Sequence, residues 1–330
     1  MRSWTKERLR RLRVAKALST SGEYPKSLPN PDFAGQYQNS EKLANGLATV
    51  GVFLGPYRNL TTLTASFLFL HPECQVLNHA GSRILEDEST NFFVGYSDRK
   101  FQEFCRQAIL ISQGGTRGTY GGSVVLSHAF AEHESMRNSF AKRYGTNLLK
   151  KKMRSLVWKE SYRVTRLLRE QKTDFGDLFA NNAHLRFVMP IRNPIDCAQS
   201  IIKKGMQKKY GDLSTDDYLK LLDINLDAMK WFLELQDRHP DRFFHFYQDQ
   251  LDANVLEELA TFLGLSKDER WIRDTLGIYK LRRRDEYGPN VVSQYERRIA
   301  NVFAGKAEVI ARFNELVSPL AVNRRAQNEI

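Results

Sequence analysis

Residues 53–72, FLGPYRNLTTLTASFLFLHP, combine the end of a strand, a tight turn and an apolar helix in one short stretch. The strand begins earlier, in the continuous apolar run of residues 48–55, which is typical of a buried parallel strand. The turn carries Arg58, Thr61 and Thr62. Backbone N–H groups and the positive end of a helix dipole meet at such a turn. The sequence therefore predicts an anion site here, with a plain turn capped by Thr61 as the alternative.

A second segment, residues 188–200 (VMPIRNPIDCAQS), repeats the arrangement of strand, turn and helix. Arg192 stands where the strand ends, and Ser200 stands two helical turns further on. Ligands of α/β sheets bind at the carboxyl ends of strands, so these two residues are candidates for holding a second phosphate. A surface salt bridge is the alternative for Arg192. Asp196 is expected to cap or stabilise the start of the helix.

Strands and helices alternate along the chain, which predicts a three-layer α/β fold with a central parallel sheet flanked by helices. We predict that residues 1–47 form a basic N-terminal helix and an irregular arm, and that residues 48–330 form a single domain. Predicted strands lie at 48–55, 74–78, 121–130, 155–161, 185–192 and 242–247. Predicted helices follow the first turn as far as about 71 and lie at 162–170, from 194, at 215–236, 254–265 and 293–316.

Composition limits the partners and the compartment. The 50 Lys and Arg against 38 Asp and Glu leave a net charge of +12, which indicates an anionic partner: nucleic acid, a membrane surface, or a phosphorylated or sulfated small molecule. No nucleic-acid-binding motif is evident, so nucleic acid is not expected. Three cysteines without metal or CxxC spacing predict reduced thiols and a cytoplasmic location. The chain lacks a membrane-spanning apolar run, and its basic N-terminus is a candidate for peripheral membrane contact.

Taken together, the two segments resemble the sulfotransferases that use 3′-phosphoadenosine 5′-phosphosulfate (PAPS). The family's first motif, P-R-S-G-T-T with an apolar helix and H-P, is similar to PYRNLTT (56–62) with LHP (70–72). Its second, R-x-P-x-D-x-x-x-S, matches residues 192–200, and FHFYQDQLDANVLEELATFLGL (244–265) resembles a third feature. The resemblance covers about residues 48–265 and is nearer to the carbohydrate and bacterial members than to the cytosolic small-molecule members.

The resemblance implies a P-loop NTPase-like sulfotransferase fold, PAPS as co-substrate, 3′,5′-adenosine bisphosphate as product, and no metal. The first turn would hold the 5′-phosphosulfate, Arg192 and Ser200 would hold the 3′-phosphate, and a late basic loop would close over the 3′-phosphate and adenine or face an acidic acceptor. A solvated charge run is the alternative for that loop. The turn comprises Pro56, Tyr57, Arg58, Asn59, Leu60, Thr61 and Thr62, and the loop contains Arg282, Arg283 and Arg284.

The first motif departs from the family pattern, because Asn59 and Leu60 replace the usual Ser-Gly. Leu60 has a Cβ, so a positive φ at that position would be costly. The shape of the loop is therefore expected to differ from the family's, while the anion site itself is expected to remain.

Sulfuryl transfer to a hydroxyl, or less readily to an amine, requires a base that removes the acceptor proton and a positive partner for the leaving oxygen. His79 and His128 are the candidate bases, since His79 follows CQVLN (74–78) and His128 follows SVVLS (123–127). His133, Glu86 and Glu88 are weaker candidates, and a structural histidine is the alternative. Lys159 is the candidate partner of the leaving oxygen, because many carbohydrate sulfotransferases have K-S-P where this chain has K-E-S-Y. An exposed lysine in a basic region is the alternative.

The sequence thus predicts a PAPS-dependent sulfotransferase acting on a carbohydrate, a glycolipid or a small metabolite. One rival is a P-loop small-molecule kinase, which is disfavoured because the turn lacks the Lys of GxxxxGK[ST]. Another is a non-catalytic protein that binds anions or a membrane surface, which the net charge and the basic N-terminus motivate.

Overall fold

The computed structural model describes residues 2–19, 24–30, 33–280 and 287–317. The chain divides into two compact units. The larger unit contains residues 1–54, 61–188 and 252–279, and the smaller unit contains residues 55–60, 189–251 and 280–330. The predicted boundary between residues 47 and 48 stays a prediction.

Eight strands occur in the described residues. They are β1 (Ser27–Leu28), β2 (Thr49–Phe53), β3 (Cys74–Asn78), β4 (Gly115–Thr116), β5 (Gly121–Ser123), β6 (Ser155–Lys159), β7 (Leu185–Ile191) and β8 (Phe243–Tyr247). Strand β8 and the part of β7 from Met189 onwards belong to the smaller unit.

Fifteen α-helices occur in the same ranges. They are α1 (Arg2–Ser19), α2 (Phe33–Asn45), α3 (Thr61–Leu70), α4 (Gly81–Leu85), α5 (Asp98–Ile111), α6 (His128–Glu132), α7 (Glu134–Tyr144), α8 (Ser161–Glu170), α9 (Phe175–Asn181), α10 (Pro194–Lys203), α11 (Tyr218–Arg238), α12 (Ala253–Phe262), α13 (Glu269–Ile278), α14 (Pro289–Val302) and α15 (Ala307–Glu315). None of the helices in the described part of the chain is long and apolar enough to cross a membrane.

The strands of the larger unit are ordered β1-β4-β5-β3-β6-β2-β7. The neighbours β3, β6, β2 and β7 are parallel, with Trp158 opposite both Val52 and Leu77. This confirms the predicted α/β fold with a central parallel sheet. Strands β1, β4 and β5 add an antiparallel edge. The sequence predicted a strand that includes β5, but it did not predict β1, β4 or the antiparallel pairing. Because the four central strands run in one direction, their carboxyl ends share one edge of the sheet.

The first apolar run forms strand β2, which lies in the core of the larger unit. Every residue of β2 is buried, as is every residue of β3 and β6. Trp158 and Phe104 pack with their ring centroids 5.2 Å apart. Gly51 in the middle of β2 leaves room for Leu263, whose Cδ2 would lie 2.8 Å from an added Cβ. The glycine therefore allows helix α12 and its C-terminal turn to pack closely on the strand.

Three predicted elements were wrong in extent. The strand predicted at 121–130 ends at Ser123, because serine hydroxyls cap a 3-10 helix and then α6, with Ser127 accepting from the Phe130 amide. Part of the predicted irregular arm is helix α2. The helix predicted at 293–316 is two helices, which are separated at Gly305 with a φ of 84°.

Candidate functional site

The turn predicted to bind an anion belongs to the smaller unit as far as Leu60. Arg58 and Leu60 have left-handed backbone conformations, with φ of 64° and 58°. Such a conformation costs a residue with a Cβ about 1–2 kcal/mol. The expected cost at Leu60 is therefore present, and a second strained residue, Arg58, stands at the centre of the predicted motif.

The side chain of Asn59 stabilises this turn. Its side chain is completely buried, and its Oδ1 accepts a 2.8 Å hydrogen bond from the backbone N–H of Arg192. The Sγ of Cys197 lies 3.5 Å from the Arg58 carbonyl oxygen, which adds a weak contact between the same two segments. The residue that replaces Ser in the family pattern therefore fixes the turn against the start of the second motif.

The smaller unit brings three of the predicted anion-binding residues together. Arg58 Nε donates a 2.9 Å hydrogen bond to Ser200 Oγ, across 142 residues of sequence. Arg192 Nη1 donates to the carbonyl oxygen of Arg58 at 3.4 Å. Ser200 lies on α10, two turns after the strand end, as the spacing predicted. Two guanidinium groups and a hydroxyl thus form one cluster, which we call the arginine cluster.

The start of α10 supports this cluster. Asn193 is the N-cap and accepts from the backbone amides of Ile195 and Asp196. Asp196 itself lies in the first turn, where it favours the helix dipole, and pairs with Arg192 at 3.3 Å. It also accepts a 2.8 Å hydrogen bond from the Tyr287 hydroxyl. The salt bridge that was the alternative for Arg192 therefore exists, but its partner is almost buried rather than on the surface.

The remaining turn residues are placed less directly for ligand binding. Pro56 and Tyr57 are buried, and the Tyr57 amide donates to the Tyr210 hydroxyl at 2.8 Å. Thr61 and Thr62 begin α3 in the larger unit and are 4% and 9% exposed. The role predicted for these four residues stays a prediction. Arg282, Arg283 and Arg284 lie outside the described residues.

The larger unit brings two predicted catalytic residues together. Lys159 is the last residue of β6, and its Nζ lies 3.4 Å from Nε2 of His79, which follows β3. Lys159 is only 4% exposed, so the alternative of an exposed surface lysine was wrong. His79 Nδ1 faces Glu160 Oε2 at 3.8 Å. These neighbours assign the ring proton to Nδ1, with the lone pair on Nε2.

Glu160 is the residue that sequence reasoning missed. Its side chain is 2% exposed, and it accepts a 3.0 Å hydrogen bond from the Gly81 amide. Burial alone would raise the pKa of this carboxyl, but the His79 ring, the charge of Lys159 and the Gly81 amide together lower the pKa below its ordinary value. An acid placed directly after a buried strand was the available signal. Glu160 is therefore a buried anion that orients the His79 ring.

The backbone at His79 is strained. His79 and Ala80 both have positive φ, of 61° and 72°. The sheet holds this conformation, because the His79 amide donates to the Lys159 carbonyl at 2.9 Å and the His79 carbonyl accepts from Trp158 Nε1 at 2.7 Å. Strain of this kind persists only where surrounding contacts fix it, and it concentrates at functional sites. The observation favours a functional position for the His79 imidazole.

The other candidate bases lie elsewhere. His128 is the first residue of α6, and His133 precedes α7. Glu86 is exposed and paired with Arg163 at 3.1 Å, and Glu88 is exposed. The choice of the base among these residues stays a prediction, but among the described residues His79 is the candidate that contacts both a buried carboxylate and a buried lysine.

Comparison with known proteins finds similarity in fold alone. No protein-family model and no curated protein matches the chain. The similar solved structures are sulfotransferases. The sulfotransferase domain of the curacin biosynthetic pathway is 16% identical, over 71% of this chain and 78% of that one, with a TM-score of 0.38. Sulfotransferase STF9 from Mycobacterium avium is 12% identical, over 85% and 81%, with a TM-score of 0.41.

Mouse sulfotransferase SULT7A1, which was crystallised with PAP, is 10% identical over 85% of this chain and 94% of that one, with a TM-score of 0.41.

Proposed function

We propose that the chain transfers a sulfuryl group from PAPS to a hydroxyl acceptor by in-line displacement. The observation that carries the proposal is the 2.9 Å hydrogen bond from Arg58 to Ser200. It joins the two segments that resemble the donor-binding motifs of sulfotransferases, although 142 residues separate them. An isolated strand–helix turn does not account for that convergence.

The arginine cluster supports binding of the donor's phosphate. Guanidinium groups offer forked, permanently charged donors, and hydrogen bonds between such groups and phosphate are stronger than neutral ones. Arg58 and Arg192 supply donors of this kind, Ser200 adds a neutral hydroxyl, and Asp196, the acid beside them, is already paired with Arg192. By the resemblance, Arg192 and Ser200 bind the 3′-phosphate, which AMP and ATP lack.

His79, Lys159 and Glu160, which we call the His79 group, support removal of the acceptor proton. In the proposed reaction the acceptor oxygen bonds to sulfur, the bond between sulfur and the phosphate oxygen breaks, and the hydroxyl proton passes to Nε2 of His79. Glu160 stabilises the imidazolium that forms, as the carboxylate does in a Ser-His-Asp triad. The acceptor hydroxyl takes the place of Lys159 Nζ at Nε2, and the ammonium is then available to the leaving oxygen.

Calorimetric titration tests the donor. We expect 3′,5′-adenosine bisphosphate to bind more tightly than AMP or ATP, and Arg192→Ala to remove that preference. Arg186→Ala is the matched control, because Arg186 lies on β7, the strand that Arg192 follows, and donates to the carbonyls of Ala183 and Leu185. Tight binding of ATP with Mg²⁺ would favour the kinase, and equal binding of all three nucleotides would favour a non-catalytic anion-binding protein.

Turnover tests the base. Bisphosphate release from PAPS is measured with p-nitrophenol and methyl glycosides as acceptors. We expect His79→Ala to lower the rate about 10²- to 10⁴-fold while bisphosphate affinity is unchanged. His128→Ala is the comparison variant, and a loss confined to that variant would assign the base to His128 instead.

The proposal also includes a cytoplasmic location and contact with a membrane surface through helix α1. Helix α1 exposes Leu9 and Leu12 beside Arg8, Arg11 and Lys16, which suits the surface of an anionic bilayer. Co-sedimentation with phosphatidylserine vesicles, compared with phosphatidylcholine vesicles, tests it. Equal recovery with both kinds of vesicle would refute an electrostatic contact.

A further inference from the structure

A cleft of about 420 Å³ lies along the antiparallel edge of the larger unit. Its lining is uncharged and comprises Ser27, Leu28, Asn30, Gly115, Thr116 and Tyr120. Leu28 is buried and forms an apolar base, whereas the hydroxyl, amide and phenol side chains are exposed. The cleft therefore combines one aromatic surface with several neutral hydrogen-bonding groups.

The cleft adjoins the His79 group through a backbone contact. Gly122 of β5 pairs with Asn78 of β3, and a Cβ added to Gly121 would lie 2.6 Å from the Ala80 Cα. Gly121 is thus packed against Ala80 without a side chain between them, and it has a φ of 79°. Tyr120 and His79 are the next residues along the two segments. The cleft and the His79 group therefore lie on segments that are in direct backbone contact.

Arg83 fixes the aromatic side of the cleft. Its guanidinium carbon lies 4.7 Å from the Tyr120 ring centroid, which is a cation–π arrangement. Its Nη1 is buried and has no hydrogen-bond partner among the described residues. Tyr120 remains 48% exposed, so the ring still offers surface to a ligand. The pair thus presents an oriented aromatic ring and a donor in need of an oxygen atom.

We propose that this cleft binds the acceptor and that the acceptor is a neutral saccharide. The inference rests on the proposed function and names its substrate class. The C–H face of a sugar ring lies on Tyr120, and the sugar hydroxyls bond to Ser27, Asn30, Thr116 and Arg83. A hydroxyl both donates and accepts, so it suits amide and hydroxyl side chains equally. A flat hydrophobic acceptor would need more apolar lining than Leu28 and Tyr120 supply.

Saturation-transfer NMR with methyl glucoside and methyl galactoside tests the cleft without requiring turnover. We expect transfer to the ring protons of at least one glycoside with the wild type, and its loss with Tyr120→Ala. Tyr37→Ala is the matched control, because Tyr37 is 41% exposed and lies under Arg106 at 3.8 Å. Thr116→Val keeps the ring, deletes one hydroxyl and should weaken transfer, which separates binding from loss of folding.

Two outcomes would overturn the inference: no transfer to either glycoside with the wild type, or equal transfer with Tyr120→Ala. Titration with 3′,5′-adenosine bisphosphate in parallel separates this inference from the proposed function. If the chain binds the bisphosphate and sulfates p-nitrophenol but neither glycoside, the sulfotransferase activity is retained and the saccharide acceptor is rejected. Glycoside binding that depends on Tyr120, without bisphosphate binding, would retain the saccharide site and reject the sulfotransferase.

Discussion

The buried carboxylate of Glu160 offers the most direct test of the His79 group. Glu160→Gln keeps the side chain's shape and an oxygen for the Gly81 amide, which donates at 3.0 Å, but it removes the negative charge beside His79 and the buried Lys159. Removing one member of a buried group of opposite charges costs about 3–5 kcal/mol, because the opposite charge stays buried without compensation. We therefore expect the free energy of unfolding at neutral pH to fall by about that amount.

The lowered pKa of Glu160 also predicts the direction in which this stabilisation changes with pH. The pKa of Glu160 is lowered by folding, because the His79 ring, Lys159 and the Gly81 amide outweigh the effect of burial. The stabilisation is therefore fully present above the unfolded pKa of about 4.5 and is lost as the pH falls through the folded pKa. The difference between the wild type and Glu160→Gln should shrink as the pH falls below that value.

Urea unfolding followed by tryptophan fluorescence provides the assay, since Trp158 is two residues away and buried. Glu86→Gln is the control, because Glu86 is 67% exposed and its pair with Arg163 should contribute less than about 1 kcal/mol. An effect of Glu160→Gln no larger than that of the control, or a difference that grows as the pH falls, would refute the assigned role.

Three further predictions concern other buried contacts. Ser200→Ala removes the acceptor of the Arg58 hydrogen bond, and calorimetry should show about tenfold weaker binding of 3′,5′-adenosine bisphosphate; unchanged affinity would count against the arginine cluster. Asn59→Ala leaves the Arg192 amide unpaired and should cost about 1–3 kcal/mol in urea unfolding, whereas Asn59→Asp, which keeps the acceptor, should cost less. Burial lowers the pKa of Lys150 well below 10.5, so the unfolded chain binds a proton that the folded chain releases. Wild-type stability should therefore rise relative to Lys150→Met as the pH approaches about 10.5, and parallel pH profiles would contradict this.

Much of the donor side was predictable because it depends on local order along the chain. An apolar run followed by a turn and a helix identifies a strand end, and parallel strands bring such ends to one edge of the sheet. Arg58, Arg192 and Ser200 were therefore predicted from spacing alone, and the hydrogen bond from Arg58 to Ser200 joins the two segments. The candidate position of His79 after a strand follows from the same rule, whereas Lys159 was predicted from the family resemblance and lies at the end of β6.

The sequence by itself thus determined the α/β class, the central parallel strands and the positions of the two strand–turn–helix segments that we predict to bind anions, because burial and helix starts leave patterns within a few residues. Tertiary structure alone decided the partnership of His79 with Glu160, the left-handed backbone at His79 and Ala80, the short edge strands β1 and β4, and the antiparallel pairing of β5 with β3. Strands of two or three residues show no periodicity, and a positive φ at residues other than glycine has no compositional signal. Contacts between distant segments supply the free energy that holds such features, so they emerge only when the sheet is assembled.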